Sequence, residues 1–359
     1  MSKYQITLTP VDKFFFGGDM TFQIGSNEND EFNSQFKSYI IKSSMFPQQT
    51  SLLGMLRFLI LRNGGSEVFA NGHIVNKDKA KELIGEKSFS VNDAHNENQF
   101  GTIKSISHVR VRRTKDYKTL DLEHAPMFKE LTFEKASMGT YNLKDFYIPN
   151  ISKDEYNAKD GLSTKLTDGE KPYELKNVFK EDRHIGIDRN IRTGKTDEGA
   201  LFKQISYRFN TDEDTYCFVF EADVDDTITL EMYDRQIITV GADNSQFVLG
   251  ISKDIKTNEH IKTLKNAVYL LSPSFLSREE ARKATFAVTS LMPFRFLSFS
   301  MQEVDSYHVF KNRTARSDRY ELYAPGSVFY FNDDTQKQAF IKYLEEKKEF
   351  RQIGYNEYK

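Results

Sequence analysis

The chain has 359 residues, with 50 Lys and Arg against 52 Asp and Glu, a formal net charge of -2 and one cysteine. That length predicts about two domains, and 30 Phe with 18 Tyr supply aromatic surface for packed cores, which excludes a disordered polymer. A lone Cys217 excludes internal disulfides and zinc cages built on paired cysteines. The opening MSKYQITLTPVDKFFFGG has no basic region leading into an apolar run, and no stretch approaches the roughly 18 apolar residues of a bilayer span. A cytoplasmic chain without membrane attachment is expected.

Tyr4, Ile6 and Leu8 alternate with Lys3, Gln5, Thr7 and Thr9, the period of a half-buried strand over residues 3–9, which Pro10 ends. An aromatic and glycine-rich patch follows at Phe14 to Gly18, then a polar stretch to Asn33. FPQQTSLLGMLRFLILRNGG at 46–65 reads as a helix with Thr50 or Ser51 as cap, a body from Leu52 to Arg62, and Gly64 and Gly65 as the stop. From about 66 to 182 the pattern is broken by long polar loops at 92–101 and 152–172, which read as insertions on a smaller core.

In the second half, 217–224, 237–251 and 267–272 read as strands. Ser277 with Glu280 forms a capping box for a helix through about Ser290, with Ala281, Ala284, Ala287, Val288 and Leu291 on one face. Residues 297–302 and 327–331 read as further strands, and a final helix starts at Thr335. Strands with helices on one face predict an α+β architecture, as two related sandwiches joined near 206–216.

The near-zero net charge conceals two basic stretches. IKSISHVRVRRTKDYK at 103–118 carries six cations against Asp116, and 183–208 carries six against Asp188, Asp197 and Glu198. A basic stripe on a neutral chain is a footprint for a polyanion, whose neutralised phosphates release counterions; the plain alternative is a solvated face. In HVRVRR, alternation puts His108, Arg110 and Arg112 on one side of a strand, beside Arg113, and Val109 and Val111 on the other. The first side is expected to present guanidinium groups while the second packs. TGKT at 193–196 is not a Walker loop, because the glycine required five positions before Gly194 is Arg189. It reads as the tip of a polar hairpin bearing Arg189, Arg192 and Lys195.

No catalytic constellation emerges. None of the seven histidines lies in a metalloprotease spacing or pairs with Asp as in a phosphohydrolase HD motif. Asp223 with Asp225, and Asp333 with Asp334, are more simply a strand end and a helix cap than cation ligands. Cys217 lies in an apolar strand, where a thiol is inert.

Four stretches carry a resemblance. LTPVDKFFFGGDMTF at 8–22, FPQQTSLLGMLR at 46–57, HIGIDRNIRTGKTDEGALFKQISYRF at 184–209 and YAPGSVFYF at 323–331 resemble, in order, the motifs of the third subunit of the Cmr effector complex. That family is a type III-B CRISPR member of the RAMP superfamily. The resemblance implies two ferredoxin-like, RRM-related domains at 1–210 and 211–359 with long loop and hairpin insertions. It implies a non-enzymatic antiviral-defence subunit without cofactor or metal, which holds the 5' repeat-derived handle of the CRISPR RNA. Its implied neighbours are the large polymerase-cyclase subunit, the first backbone RAMP subunit and, indirectly, target RNA.

The aromatic and glycine step then supplies Phe15, Phe16, Gly17 and Gly18 to the RNA-facing side, and the helix entry supplies Gln48, Ser51, Gly54 and Arg57. The hairpin supplies Gly186, Asp188, Arg189, Arg192, Thr193, Gly194, Lys195 and Thr196. The family's glycine-rich terminal segment is reduced here to Gly354 and Tyr355, and its Gly-Gly-Glu-like step is Gly241, Ala242 and Asp243. The aromatic RRM signature is missing, so RNA is expected on loops through its phosphates, with splayed bases read by Phe15, Phe16 or Tyr355. The alternative within the superfamily is an endoribonuclease that trims CRISPR RNA with His184 or His308 as acid or base; a type III-A equivalent subunit is a further one.

Overall fold

The computed structural model describes residues 1–17, 20–24, 38–86, 88–91, 99–127, 132–138, 141–150, 164–189, 196–212, 214–255, 264, 266–299 and 314–359. The alternation at the start of the chain forms the strand Ser2–Pro10, which buries Tyr4, Ile6 and Leu8 completely. It is hydrogen-bonded on both edges. Thr215–Val224 runs antiparallel on one side, with Ile6 opposite Phe220 and Leu8 opposite Phe218; Gln246–Ser252 runs antiparallel on the other, with Leu8 opposite Leu249.

Around this pair of ladders the described residues build a nine-stranded sheet. From edge to edge it runs Pro172–Glu174, Lys165–Thr167, Lys118–His124, Arg110–Lys115, Thr215–Val224, Ser2–Pro10, Gln246–Ser252 and Ile237–Thr239, with Ile103–Ile106 also on Thr215–Val224. Strands from both sides of residue 210 therefore share one sheet. The helix Gln49–Asn63 packs Leu52, Leu53, Leu56, Leu59 and Ile60 into the same core as Tyr4, Ile6, Phe218 and Phe220. Each such buried side chain contributes roughly 2 kcal/mol of transfer free energy.

Two smaller sheets flank it. Phe179–Arg189 and Thr196–Phe209 form a long antiparallel hairpin, whose second strand runs parallel to Ser38–Lys42, itself paired with Met20–Ile24. Nearer the C-terminus, Val328–Tyr330 lies between Ala267–Tyr269 and Phe286–Val288. Phe340 and Leu344 of the helix Asp334–Glu346 pack on Val268 and Phe329 from one face, while Tyr269, Val288 and Val328 pack together on the other. The segment after this helix then ties two sheets: Ile106 donates to the Gln352 carbonyl at 2.7 Å, and Tyr269 and Lys359 exchange backbone hydrogen bonds at 2.8 and 2.9 Å. The architecture is mixed α+β, rich in sheet and sparing in helix.

Several expectations are corrected. The helix begins with Gln48 at its cap position and no side-chain cap bond, so neither Thr50 nor Ser51 caps it. Between the two polar loops, Ile103, Ile106, Val111 and Leu122 are core positions, with Val109 and Val111 packed as expected, and a helix Lys77–Ile84, capped by Asn76, precedes them. Residues 237–251 are two strands joined by a turn closed from Val240 to the Ser245 carbonyl, with Asp243 and Asn244 left-handed. The helix from Ser277 ends at Ala281 although its cap forms as expected; Phe286–Val288, β-branched and aromatic in part, pairs as a strand instead. The final helix is capped by Asp333, whose side chain accepts from Thr335, rather than by Asp334. No helix among the described residues is long and apolar enough to cross a membrane.

Two glycines separate packing from exposure. Gly354 is buried at φ 81°, and a Cβ there would lie 2.6 Å from the His108 amide nitrogen and the Ser107 carbonyl carbon. Gly54 is exposed in mid-helix, with nothing of this chain within 4 Å of its would-be Cβ. In thermal unfolding of the isolated chain, Gly354→Ala is expected to cost about 3 kcal/mol. Gly54→Ala is expected to add up to about 1 kcal/mol. Equal shifts of one sign for the two variants would contradict this packing.

Candidate functional site

The arginines of 108–113 lie in the main sheet, but the side expected to face outward is itself covered. Arg112 makes a bidentate pair with Asp121 at 2.6 and 2.9 Å and donates to Gln5 Oε1 at 2.7 Å. Arg110 donates to Glu221 at 3.0 Å, and Lys3 reaches the same carboxylate at 2.8 Å. Arg113 pairs with Asp214 at 2.8 Å and lies over the Tyr173 ring. These cations are neutralised by carboxylates of the neighbouring hairpin strand, Asp121, and of a segment about a hundred residues on, Asp214 and Glu221. Asp121 accepts on both oxygens while almost fully buried, so removing its partner leaves a buried charge.

Beside this ladder, the structure joins candidate residues from three distant segments. The Gln49 amide at the start of the long helix donates to the Ser107 carbonyl at 2.8 Å and to the Ile353 carbonyl at 2.6 Å, which holds Gln48, His108 and Gly354 together. Sequence reasoning missed Gln49, and nothing in its local pattern distinguishes it from its neighbour. His108 is largely buried, its Nε2 3.9 Å from Glu123 and without a hydrogen bond. Burial, then the nearby Arg110, His124 and Lys359 charges, pull its pKa down to about 3; burial pulls His124 to about 4 and pushes the Glu123 carboxyl up.

Phe15, Phe16 and Tyr355 are core residues. Phe16 packs with Phe14, Phe218 and Phe247, and Tyr355 packs with Phe89, Phe275 and Phe294, so their rings present no open face here. Gly17 is half-buried and its carbonyl accepts from Ser44, while Gly18 lies outside the described residues. Ser51 is half-buried and Gly54 exposed on the helix; Arg57 is half-buried on the same helix.

The hairpin is present, with Gly186 half-buried and Arg189 opposite Thr196 at its far end. Asp188 falls in its first strand; Arg192, Thr193, Gly194 and Lys195 lie outside the described residues. Thr196 opens a strand rather than a helix, which bears out the rejection of a phosphate-binding Walker loop.

Among the groups tested for catalysis, His184 is exposed on the hairpin opposite Gln204, and His308 lies outside the described residues. Burial pushes the Cys217 thiol up to about 11, which leaves it protonated and unreactive at neutral pH. Asp223 accepts from Ser105 at 2.8 Å. Among the described residues no group of His, Cys, Asp and Glu is placed to hold a metal ion.

The sequence matches the family described as CRISPR-associated protein (Cas_Cmr3) over residues 6–358, and the chain belongs to that family, the Cmr3 subunits of the type III-B system of antiviral defence. Two solved structures share the fold. A chain of the type III-B Cmr-beta complex bound to cognate target RNA and AMPPnP, state 1, is 13% identical, with a TM-score of 0.51 over 98% of this chain and 94% of that one. A chain of Cmr-beta bound to cognate target RNA is also 13% identical, with a TM-score of 0.50 over 99% and 96%. Among curated proteins none matches.

Replacing Arg112 by Ala is expected to destabilise the chain by about 3 kcal/mol, because Asp121 stays buried. Chemical denaturation of Arg112→Ala against Asp121→Asn with Arg112→Ala measures this, and the double variant is expected to recover part of the loss. The buried histidines predict acid sensitivity. Unfolded histidine binds a proton near pH 6.5, whereas folded His108 and His124 stay neutral to about pH 3 and 4. Stability is therefore lost as pH falls from 6.5 towards 4, at up to about 1.4 kcal/mol per pH unit for each histidine. The raised Glu123 pKa opposes this, so the test is the difference in slope between wild type and His108→Asn, which should be shallower in the variant.

Proposed function

We propose that the chain is a non-catalytic subunit of a type III-B Cmr effector that binds the CRISPR RNA at its 5' repeat-derived handle. It docks against the large polymerase-cyclase subunit and the first backbone subunit, which brings it near target RNA, as in the Cmr-beta assemblies bound to cognate target RNA. The observation that carries this reading is Arg57. Its Nη2 reaches the Gly85 carbonyl at 3.2 Å, its Nε has no partner, and no carboxylate among the described residues accepts from it. Burial alone lowers its pKa to about 10.

An uncompensated guanidinium in a partly buried place is costly until an anion completes it, and phosphate accepts from its fork in two bonds. Gly54, one turn earlier and unobstructed, leaves room for another backbone to approach. The ferredoxin-like reading is supported by the main sheet: Ser2–Pro10 lies between Thr215–Val224 and Gln246–Ser252, Arg110–Lys115 lies outside Thr215–Val224, and a helix follows the first strand. On that reading the first domain runs past residue 210, out to Ser252, and the second is built on Val328–Tyr330 and its helix.

The test is filter binding by the assembled effector to CRISPR RNAs with and without the handle. Arg57→Ala is expected to weaken binding of the handled RNA at least tenfold, about 1.4 kcal/mol, with Arg57→Lys intermediate. Indifference to the handle in wild type would sink the proposal. Metal-free incubation with repeat RNA tests the non-catalytic part: single-site cleavage abolished by His184→Ala would replace it with the endoribonuclease.

A further inference from the structure

At the base of the long hairpin a cleft of about 400 Å³ opens between the short helix Leu175–Val178 and the two hairpin strands. Its floor is Phe179 and Tyr207, and its rim carries Lys176, Lys180 and Arg208 against a single acid, Glu181. Glu181 is already held by Lys42 at 2.9 Å and Arg183 at 2.8 Å, both of which hold its carboxyl below the usual range. Lys180 reaches Asp212 at 2.7 Å through an exposed pair, whereas Lys176 and Arg208 have no carboxylate partner among the described residues.

Register makes this arrangement unfavourable in the isolated chain. Lys180 and Arg208 stand directly opposite each other across the antiparallel ladder, and like charges in that position repel. Lys42 lies 5.8 Å from the centre of the Tyr207 ring. The Tyr207 hydroxyl is buried beside Lys42 and Glu181 but makes no hydrogen bond of good geometry, although a buried phenol ordinarily finds one. An anion seated among Lys176, Lys180 and Arg208 relieves the repulsion. The walls are too closed for a ring to stack on Tyr207, which is 1% exposed.

We infer that this cleft is a binding site for a phosphate group, distinct from the helix face that bears Arg57. The inference does not rest on recognition of the handle. Two sources supply the chemistry, a phosphodiester of single-stranded RNA and a free phosphate or mononucleotide, and the experiment separates them. The full chain is titrated with fluorescein-labelled oligouridylate in anisotropy, and with inorganic phosphate and uridine monophosphate as competitors, over a series of salt concentrations. The variants are Lys176→Glu with Arg208→Glu, Arg208→Glu alone, and a control that reverses Lys342 and Lys347, in and just after the helix Asp334–Glu346.

Oligouridylate is expected to bind, the double reversal to weaken it more than tenfold, and the slope of log affinity on log salt to shrink by on the order of 0.7 per removed cation. The control should match wild type. Competition by phosphate or mononucleotide at concentrations comparable to oligouridylate assigns the cleft to a free ligand, while competition only by RNA assigns it to the backbone; either supports a phosphate site. Arg208→Glu, which removes the cross-strand repulsion, is expected to melt no lower than wild type in phosphate-free buffer. Unchanged affinity for all three probes in the double variant overturns the inference, as does a marked fall in melting temperature for Arg208→Glu alone.

Discussion

The charge ladder across the non-core face of the main sheet governs what the rest of the structure is able to do. Asp121, Arg112 and Gln5 join three strands, and Arg110, Glu221 and Lys3 join three. Because each charge meets its opposite across a strand, residues 110–124 serve as interior strands despite a composition that suits a surface. Their apolar partners, Val111 and Leu122, then seal the core against the long helix. The near-neutral composition is thus partly internal bookkeeping between segments a hundred residues apart, rather than a sum over unrelated surfaces.

This is also where reading the sequence reaches its limit. The opening strand, the helix at 49–63, the central strand at 215–224 and the last helix are legible because each carries its own period and its own stop. The strand around 109–113 is legible too, but the burial of its arginine side is not, because it depends on carboxylates of neighbouring strands that local pattern does not connect to it. The helix after Ser277 fails for a different reason: its cap is local and forms, but the continuation is decided by pairing with Val328–Tyr330. Family motifs identify the chain where periodicity is silent, yet they do not tell a buried Phe15 from an exposed one. The meeting of Gln49, His108 and Gly354 is legible only in three dimensions, since a single amide spans elements more than 50 and 300 residues apart.

The arginines and lysines of the chain therefore fall into two kinds. Arg110, Arg112 and Arg113 are enclosed with carboxylates and hold strands in register. Arg57, Lys176 and Arg208 face no carboxylate among the described residues, and it is on these that the proposed phosphate contacts rest. Counting basic residues along the sequence merges the two kinds; partner geometry separates them. The same distinction applies to the aromatics, of which Phe15, Phe16 and Tyr355 are spent on the core.

The placement of the first strand at the centre of the main sheet has a consequence during synthesis. Ser2–Pro10 leaves the ribosome well ahead of its two neighbours, which begin at Thr215 and Gln246. At about 5 to 20 residues per second, an apolar strand with both edges unpaired waits on the order of ten seconds or more for its first partner. During that interval the nascent chain exposes the very surface that later forms its core, and its productive folding competes with edge-to-edge association between neighbouring nascent chains.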